Sequence, residues 1–419
     1  MSIETTGLLS TRRSFLQFLA LLALPGIKVT GGADPDSLLK SVSESAHLAG
    51  VQAALIRNGH VVWSGASGWA DIARRIPMTT HTVMNIASVS KTVTAAAVMQ
   101  LSEAGRVKLD DPINQHLPFL VQNPSHPNTT ITVRHLLAHV SSIADGPAYN
   151  RSYRCGDTPF HLTDWLHDYL TPGRALYSNE NFHPWASGAR FAYSNVGFGL
   201  LGYLIETVSG IPFDQFCAKF LFAALGMNDT AISIKAFAAG QEAIPYTRSA
   251  EATEVVPRQA ESRRTLWWVV TEDTPRRVLL GRQAFVPNCL YSFPTAADGL
   301  VRTSVLDLSK FLCMLLADGT VEGRTLLTPR GISETFSAQF QTAMRPKSWP
   351  AVQGLAWEGY RLADLGLLWG HGGSDPGVAT HVLMHFPSKS AALTFANTSP
   401  DADAVLNINT ALLRIAVSG

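Results

Sequence analysis

Strand patterns near both ends of the chain, with helical patterns between them, constrain the fold of this 419-residue sequence more than any other feature. Two apolar runs, at 51–57 and 60–64, flank Asn58-Gly59, a dipeptide typical of a tight hairpin turn. Strand patterns return only after Pro350. This order predicts an α+β fold in which one sheet, built from both ends of the chain, is interrupted by an all-helical lobe.

The same patterns divide the chain into segments. We predict an α/β lobe at 34–80 and 290–419, a helical lobe at 81–239, and an insertion near the cleft at 240–289, where both patterns weaken. The insertion would shape a pocket, although a surface excursion or a dimer contact fits its sequence equally well. Its notable residues are the pair Trp267-Trp268, a possible pocket wall, and the arginines Arg263, Arg264, Arg276 and Arg277. The remaining predicted strands are 354–357, 360–367, 379–386 and 391–396, and the predicted helices are 34–50, 88–105, 133–139, 162–169, 196–209, 214–225 and 401–417.

The first 33 residues have the features of an export signal. The stretch TRRSFL at 11–16 resembles a twin-arginine signal, and the apolar run that continues to Leu24 is too short to span a bilayer as a mature helix. Small residues at 31–33 suit cleavage before Asp34. We therefore expect a bacterial protein that is exported to the periplasm or out of the cell; an ordinary core helix with a chance arginine pair is the alternative.

Composition and cysteine spacing argue against several other classes of protein. A formal net charge of +1 gives no field to attract nucleic acid or an anionic membrane, and no later stretch is apolar enough for a stable membrane anchor. The four cysteines lack the C-x-x-C spacing of zinc and thioredoxin-type sites. Cys217 and Cys313 lie in apolar helical patterns and are predicted to be buried thiols. Folding before export, in a reducing compartment, argues against an obligatory disulfide.

An S-x-S-K motif beginning at Ser88 is the first candidate for catalytic chemistry. Ser88 and Lys91 are three residues apart on a predicted helix, so they share a face and the amine can reach the hydroxyl. A lysine kept neutral by burial can accept a serine proton. A second copy of the spacing, Ser37 and Lys40, has no other chemical group beside it, and we interpret it as chance.

A Y-S-N motif also occurs twice. Tyr193-Ser194-Asn195 immediately precedes a strongly apolar helix, a junction at which a phenol can point into a cleft. Tyr177 begins the second copy, in a polar loop, and is interpreted as a solvated tyrosine. A half-buried structural role is the alternative for Tyr193.

His371, followed by Gly372 and Gly373, lies at the mouth of a strand pattern. A single histidine in a strand is more often structural than catalytic, but two glycines are poor residues for a plain buried strand. They let a substrate approach the backbone closely, and backbone N–H groups are good donors to a developing oxyanion.

Together and in this order, S-x-S-K, Y-S-N and H-G-G resemble the motifs of the serine β-lactamase and penicillin-binding-protein superfamily, specifically its class C β-lactamase-like branch of esterases and D-amino-acid peptidases. The resemblance covers essentially all of the mature chain and extends to the stretches LDDPINQHLP, ITVRHLLAHVSSI and DGLVRTSVLDLSKFL. It implies a mainly antiparallel sheet flanked by helices plus an all-helical lobe, with the active site between them and with no metal and no cofactor. The roles that it implies are nucleophile for Ser88, activating partner for Lys91, general base and then acid for Tyr193, pocket lining for Asn195, substrate binding for His371, Gly372 and Gly373, and an oxyanion hole formed by the N–H groups of Ser88 and Ser374.

Two departures from the family pattern bear on the substrate. Many β-lactamases carry K-T-G where this chain has H-G-G, which removes a fixed cation and a hydroxyl that would hold a substrate carboxylate. His371 is expected to be mostly neutral at pH 7. Ser142 occupies a position at which the family often has glycine, and we expect only a minor backbone change there.

These observations predict a serine hydrolase that cleaves a small ester or amide through an acyl-enzyme on Ser88, with esterase-like activity favoured. A β-lactamase or a D-amino-acid-specific peptidase or D,D-carboxypeptidase is the alternative, and a non-catalytic binding module is the least favoured reading. The partner would be a small-molecule ester, amide or lactam, and the sequence leaves open the oligomeric state and whether Lys91 or Tyr193 takes the first proton.

Two other hydrolase classes fit less well. An α/β-hydrolase would need a G-x-S-x-G elbow, which the chain lacks. A metal hydrolase would need paired histidine ligands, and the one pair at suitable spacing, His135 and His139, is interpreted as packed helix residues.

Overall fold

The computed structural model describes residues 34–249, 277–281, 283–340, 352–399 and 402–418. The predicted export signal at 1–33 lies outside these residues, so it remains a prediction. The same holds for the part of the predicted insertion that contains Arg263, Arg264, Trp267, Trp268 and Arg276.

Within the described part of the chain, seven helices lie where the sequence predicts a helix, Val305–Leu316 contains the apolar helical pattern around Cys313, and Pro147–Asn150 and Pro329–Thr335 are additional. In chain order, the helices are α1 (Pro35–Ser45), α2 (Ser90–Glu103), α3 (Val133–Leu137), α4 (Pro147–Asn150), α5 (Leu162–Leu170), α6 (Asn195–Ser209), α7 (Phe213–Cys217, continued by a π turn at Ala218–Phe222), α8 (Val305–Leu316), α9 (Pro329–Thr335) and α10 (Ala402–Ser418). In the described ranges, no single helix is both long and apolar enough to cross a bilayer; Asn195–Ser209 and Phe213–Phe222 reach that length only together, with a bend of 76° between them.

The strands are concentrated near the two ends of the chain. They are β1 (Gly50–Arg57), β2 (His60–Asp71), β3 (Ile76–Pro77), β4 (Met84–Asn85), β5 (Arg154–Cys155), β6 (Tyr246–Ser249), β7 (Val278–Leu280), β8 (Gln283–Pro287), β9 (Tyr291–Ser292), β10 (Arg302–Thr303), β11 (Thr320–Val321), β12 (Arg324–Thr325), β13 (Val352–Gln353), β14 (Glu358–Leu362), β15 (Gly366–Asp375), β16 (Val378–His385), β17 (Ser390–Ala396) and β18 (Thr398–Ser399).

One eight-stranded sheet joins the two ends of the chain. Its strand order is β13-β14-β15-β16-β17-β1-β2-β3, and every neighbouring pair is antiparallel. At the junction, β1 pairs with β17, with Ala53 opposite Thr394. The β1–β2 turn has positive φ at both Asn58 (51°) and Gly59 (76°), as a tight hairpin turn requires. The predicted α+β fold, with its mainly antiparallel sheet built from both ends, is confirmed.

Two apolar cores cover the two faces of this sheet. Val51, Ala53 and Leu55 of β1 pack with α1 and α10, whereas Ala54 and Ile56 face the larger core, which includes α2, α6 and α8. Successive residues of a strand point to opposite faces, so β1 must be apolar at both. The continuous apolar run in its sequence is therefore a consequence of the two-sided packing.

Two of the predicted strands have wrong boundaries. Residues 354–357 form the turn between β13 and β14, in which the Gly354 N–H donates to the Trp357 carbonyl at 2.7 Å. Their apolar side chains are buried although the backbone is not a strand. The predicted strand at 360–367 is divided by a turn, after which β15 begins at Gly366 with φ 74°.

Several helices also begin or end differently from the prediction. The helix predicted at 34–50 ends at Ser45. The helix predicted at 133–139 ends at Leu137, and His139 has φ 57°, which an α-helix cannot contain. Ser88 lies before α2, in a 3₁₀ turn (Ala87–Val89).

Ser142, at a position where the family often has glycine, has a strained backbone conformation, and the minor backbone change relative to glycine remains a prediction. Its φ of 65° lies in the left-handed region, which costs a non-glycine residue roughly 1 kcal/mol or more. The Ser142 hydroxyl accepts a hydrogen bond from Asn123 Nδ2 at 2.9 Å, and this buried contact compensates for part of the strain.

The expectation that the chain has no obligatory disulfide is contradicted, because Cys155 and Cys289 are joined by one. Strands β5 and β9 pair with each other and bring the two cysteines together across 134 residues of sequence. The spacing of the four cysteines along the sequence does not predict this pairing. Cys217 is a buried free thiol, as predicted, and Cys313 is a half-buried one.

We predict that the denatured, non-reduced protein carries two free thiols. Cys155→Ser with Cys289→Ser should lower the free energy of unfolding by roughly 2–5 kcal/mol, because the crosslink restricts the unfolded chain. Thiol titration and urea denaturation measure the two quantities. Cys313→Ser is the control: it should remove one free thiol and leave the crosslink in place. A count of four free thiols in the wild-type protein would contradict the disulfide.

Candidate active site

Ser88 lies in a short turn that its neighbours hold tightly. Ala87 has φ 48°, and its N–H donates to the Asn85 side chain at 2.9 Å. Ala87 and Val89 are buried, whereas Ser88 keeps partial exposure. The turn therefore leaves the Ser88 side chain partly accessible to solvent while its two neighbours anchor it.

Lys91, in the first turn of α2, is fully buried and its amine has three oxygen partners. The Nζ atom lies 3.1 Å from Ser88 Oγ, 2.7 Å from Asn195 Oδ1 and 2.6 Å from the carbonyl oxygen of Asp298. Burial lowers the pKa of Lys91 from 10.5 to about 8, against the opposing effect of nearby carboxyl groups, Asp298 first among them. The predicted pairing of Ser88 with Lys91 is thus present in the structure.

This geometry suits a neutral amine as well as an ammonium. A neutral amine has two hydrogens and one lone pair. If the hydrogens are donated to Asn195 and Asp298, which offer acceptor oxygens, the lone pair is directed at the Ser88 hydroxyl. Lys91 can then accept the Ser88 proton without any rearrangement.

Tyr193 is positioned by an aromatic stack. Its ring lies on that of His139, with 4.2 Å between the centroids, and Lys91 Nζ is 4.9 Å from the Tyr193 ring centroid. Burial raises the pKa of the Tyr193 phenol well above 10, against an opposing hydrogen bond with Ser88. Tyr193 is therefore protonated at neutral pH and can donate a proton.

His135, in α3, and His139, just after its C-terminal end, are packed residues, as the sequence indicated. His135 takes part in the helix cap with Thr132 and contacts Ser187 at 2.8 Å. His139 Nδ1 accepts from the Ser194 N–H at 3.2 Å, and burial holds the pKa of His139 well below 6.5. A neutral His139 thus supports the Tyr193 ring from behind.

Strand β15 passes close to the Ser88 turn. A side chain at Gly373 would lie 2.5 Å from the Ile86 carbonyl oxygen and 3.2 Å from the Ala87 side chain, so glycine allows this approach. The next residue of each segment is accessible to solvent: Ser374 is exposed and Ser88 is partly exposed. This arrangement is compatible with the predicted oxyanion hole.

His371 is buried on β15, and its ring centroid is 6.4 Å from that of Tyr193. Its Nδ1 lies 2.6 Å from the Gly372 carbonyl oxygen, so Nδ1 carries the hydrogen and Nε2 is an acceptor. Burial, and after it the charge of Lys91, lower the pKa of His371 to about 3. His371 is neutral, as predicted.

The residues rejected from the site on sequence grounds lie elsewhere. Ser37 is on α1, against the opposite face of the sheet, and its hydroxyl donates to Asp34 at 2.7 Å. The Tyr177 hydroxyl contacts Asn179 at 3.3 Å in a surface loop.

Sequence reasoning missed four carboxyl groups that influence Lys91: Asp145, Asp298, Glu358 and Asp375. Burial raises the pKa of each, to about 8 for Asp298, about 7 for Glu358 and about 6 for Asp375. Single acidic residues at these spacings form no pattern. The one sequence signal near any of them is the family-like stretch DGLVRTS, which begins at Asp298.

Comparisons with known proteins identify the family and the fold. A family model described as Beta-lactamase matches residues 35–416. Protein flp from Staphylococcus aureus (strain MW2) is 26% identical over 216 residues, which are 50% of this chain and 40% of that protein, so the match spans about two fifths of the relative's length.

Two solved structures share the fold. EstCE1, described as a hydrolase with promiscuous acyltransferase activity, superposes with a TM-score of 0.68 at 19% identity, over 90% of this chain and 98% of that one. D-amino acid amidase from Ochrobactrum anthropi SV3 superposes with a TM-score of 0.67 at 21% identity, over 92% of this chain and 98% of that one. Because the family model matches nearly all of the described residues, the chain belongs to the beta-lactamase family.

Proposed function

We propose that this protein hydrolyses small esters, or amides without a free carboxylate, through an acyl-enzyme on Ser88. The observation that carries the proposal is the contact of Lys91 Nζ with Ser88 Oγ at 3.1 Å, made by an amine whose two other partners are oxygen acceptors. A nucleophile and a base within hydrogen-bond reach, with the base oriented by further groups, is the arrangement that activates a serine.

Acylation begins when Lys91 accepts the Ser88 proton and Oγ bonds to the substrate carbonyl carbon. The carbonyl oxygen gains the negative charge, which the N–H groups of Ser88 and Ser374 would stabilise. Tyr193 then donates its proton to the leaving alcohol or amine as the bond to that group breaks, and it regains a proton from Lys91. Water attacks the ester on Ser88 in a second, equivalent step that restores the free enzyme. Activity should rise with pH through the Lys91 pKa of about 8, because only the unprotonated amine accepts a proton.

The preference for substrates without a carboxylate rests on His371. A site for a substrate carboxylate normally supplies a cation, because charge-assisted hydrogen bonds to carboxylates are strong. Here the corresponding side chain is neutral, and its Nε2 is a buried acceptor with no hydrogen-bond partner among the described residues. This position therefore supplies no cation to a substrate carboxylate, so an uncharged substrate is favoured.

We predict that Ser88→Ala abolishes turnover and covalent labelling by a phosphonate ester, with a loss of about 10⁴-fold or more in kcat. Tyr193→Phe should lower kcat strongly, because the proton for the leaving group is lost. Ser37→Ala and Tyr177→Phe are the matched controls, since they alter the second copies of the two motifs, and neither should change activity. Labelling followed by intact mass spectrometry would contradict the assignment if Ser88→Ala still reacted, and a wild-type protein that never reacts would indicate a binding module.

A substrate panel tests the proposed specificity. We expect efficient hydrolysis of p-nitrophenyl acetate and butyrate, and slow or undetectable hydrolysis of a chromogenic cephalosporin, whose carboxylate finds no cation at His371. A D-amino-acid amide distinguishes an amidase from an esterase. Efficient turnover of the cephalosporin with negligible ester hydrolysis would refute the esterase preference and leave the Ser88 mechanism in place.

A further inference from the structure

Asp145 makes an unusual set of contacts at the start of α6. Its carboxylate accepts hydrogen bonds from the Asn195 N–H at 2.9 Å, from the Val196 N–H at 3.0 Å and from Asn195 Nδ2 at 2.9 Å. The Ser194 hydroxyl is 3.5 Å away. Every one of these partners is a donor, so the contacts favour an ionised carboxylate next to the positive end of the helix.

The contact with Asn195 Nδ2 decides which way the amide faces. The side chain of asparagine has one donor end and one acceptor end. With Nδ2 bound to Asp145, Oδ1 is directed at Lys91 Nζ, 2.7 Å away. The reverse orientation would place the amide oxygen against a carboxylate and the NH₂ group against the lysine amine.

The chain around Asp145 is itself fixed. The Tyr169 hydroxyl donates to the Ala144 carbonyl at 2.9 Å and accepts from the Gly146 N–H at 2.5 Å, so one phenol holds both neighbours of Asp145. A side chain at Gly146 would lie 2.6 Å from Asn181 Oδ1. The packing thus leaves the backbone at Asp145 little freedom.

From these contacts we propose that Asp145 is a positioning residue for the reaction: by fixing the Asn195 amide it keeps an acceptor oxygen against Lys91, so that the lysine lone pair remains directed at Ser88. The inference rests on the proposed function, because it assigns Lys91 as the base. Asp145 acts through Asn195 and Lys91 and is given no contact with the substrate.

Other charged and titratable groups surround the same lysine. Those that influence its amine or are influenced by it are Asp145, Asp298, Asp375, Glu358, His139 and His371. The charge of Asp145 also raises the pKa of three phenols, those of Tyr149, Tyr169 and Tyr193. Among these carboxyl groups, Asp145 is the one that hydrogen-bonds the Asn195 side chain. Its negative charge raises the pKa of Lys91, so the removal of that charge should lower the Lys91 pKa.

The first test is Asp145→Asn in the full-length protein, with p-nitrophenyl acetate as the probe. We expect kcat to fall about 10- to 100-fold, as is typical when an outer partner that orients a reacting group is lost, with KM nearly unchanged. The acid limb of kcat/KM should move to lower pH, because a negative charge near Lys91 has been removed. Asp157→Asn is the matched control: Asp157 also accepts backbone N–H bonds at the start of a helical turn, from Ile234 at 2.9 Å and Lys235 at 3.2 Å, and its loss should change neither quantity.

Exchanging the two side chains should shift the acid limb of the pH profile in the opposite direction. The double variant Asp145→Asn with Asn195→Asp still pairs an amide donor with a carboxylate acceptor between positions 145 and 195. It places the carboxylate at position 195, directly against Lys91. Plateau kcat should recover relative to Asp145→Asn alone, and the acid limb should move to higher pH than in the wild type. If Asp145→Asn does not fold, the acid limb of the double variant, compared with that of the wild type, still tests the proposal.

The positioning role is refuted if folded Asp145→Asn keeps wild-type kcat and an unmoved acid limb, or if the double variant leaves the limb where it was or moves it to lower pH. Failure of the proposed function gives a different result: the wild-type protein then shows no turnover that depends on Ser88.

Discussion

The buried amine of Lys91, held by three oxygen atoms, is the interaction on which the rest of the site depends. An isolated lysine is among the most expensive side chains to remove from water, so its amine must be either neutral or well solvated by the protein. Here the three partners come from three parts of the fold: the turn before α2, the first residue of α6, and the carbonyl of Asp298. Assembly of the fold therefore also assembles the base.

The sheet also contributes to the site, through strand β15. Strand β15 comes from the C-terminal part of the chain and the Ser88 turn from the N-terminal part, and the approach of Gly373 to Ile86 and Ala87 brings them together. Antiparallel pairing of β1 with β17 makes this contact possible, because it joins the two ends of the chain in one sheet. The helical segments between them supply Tyr193 and Asn195 at the start of α6, so each proposed catalytic group is fixed by a regular element or its cap.

Much of this arrangement was predictable from sequence because it depends on local spacing. The i and i+3 spacing of Ser88 and Lys91 predicts that the two side chains meet, and they do so although Ser88 lies in the 3₁₀ turn before α2. The sequence also places Tyr193 just before an apolar helix. The buried carboxyl groups were not predictable, since Asp145 and Asp298 acquire their roles from partners far away in sequence. The disulfide between Cys155 and Cys289 was missed for the same reason. The turn at 354–357 was misjudged because apolar residues are buried there without forming a strand.

The state of Lys91 in the resting enzyme tests this picture most directly. An NMR titration of the lysine side chains, with the Lys91 signal assigned by its absence in Lys91→Arg, gives its pKa without reference to any substrate. We expect a midpoint of about 8, so that a substantial fraction of the amine is neutral under mildly alkaline conditions. A midpoint near the ordinary value of 10.5 would mean that the amine is protonated throughout that range, and Lys91 could not then serve as the base for Ser88.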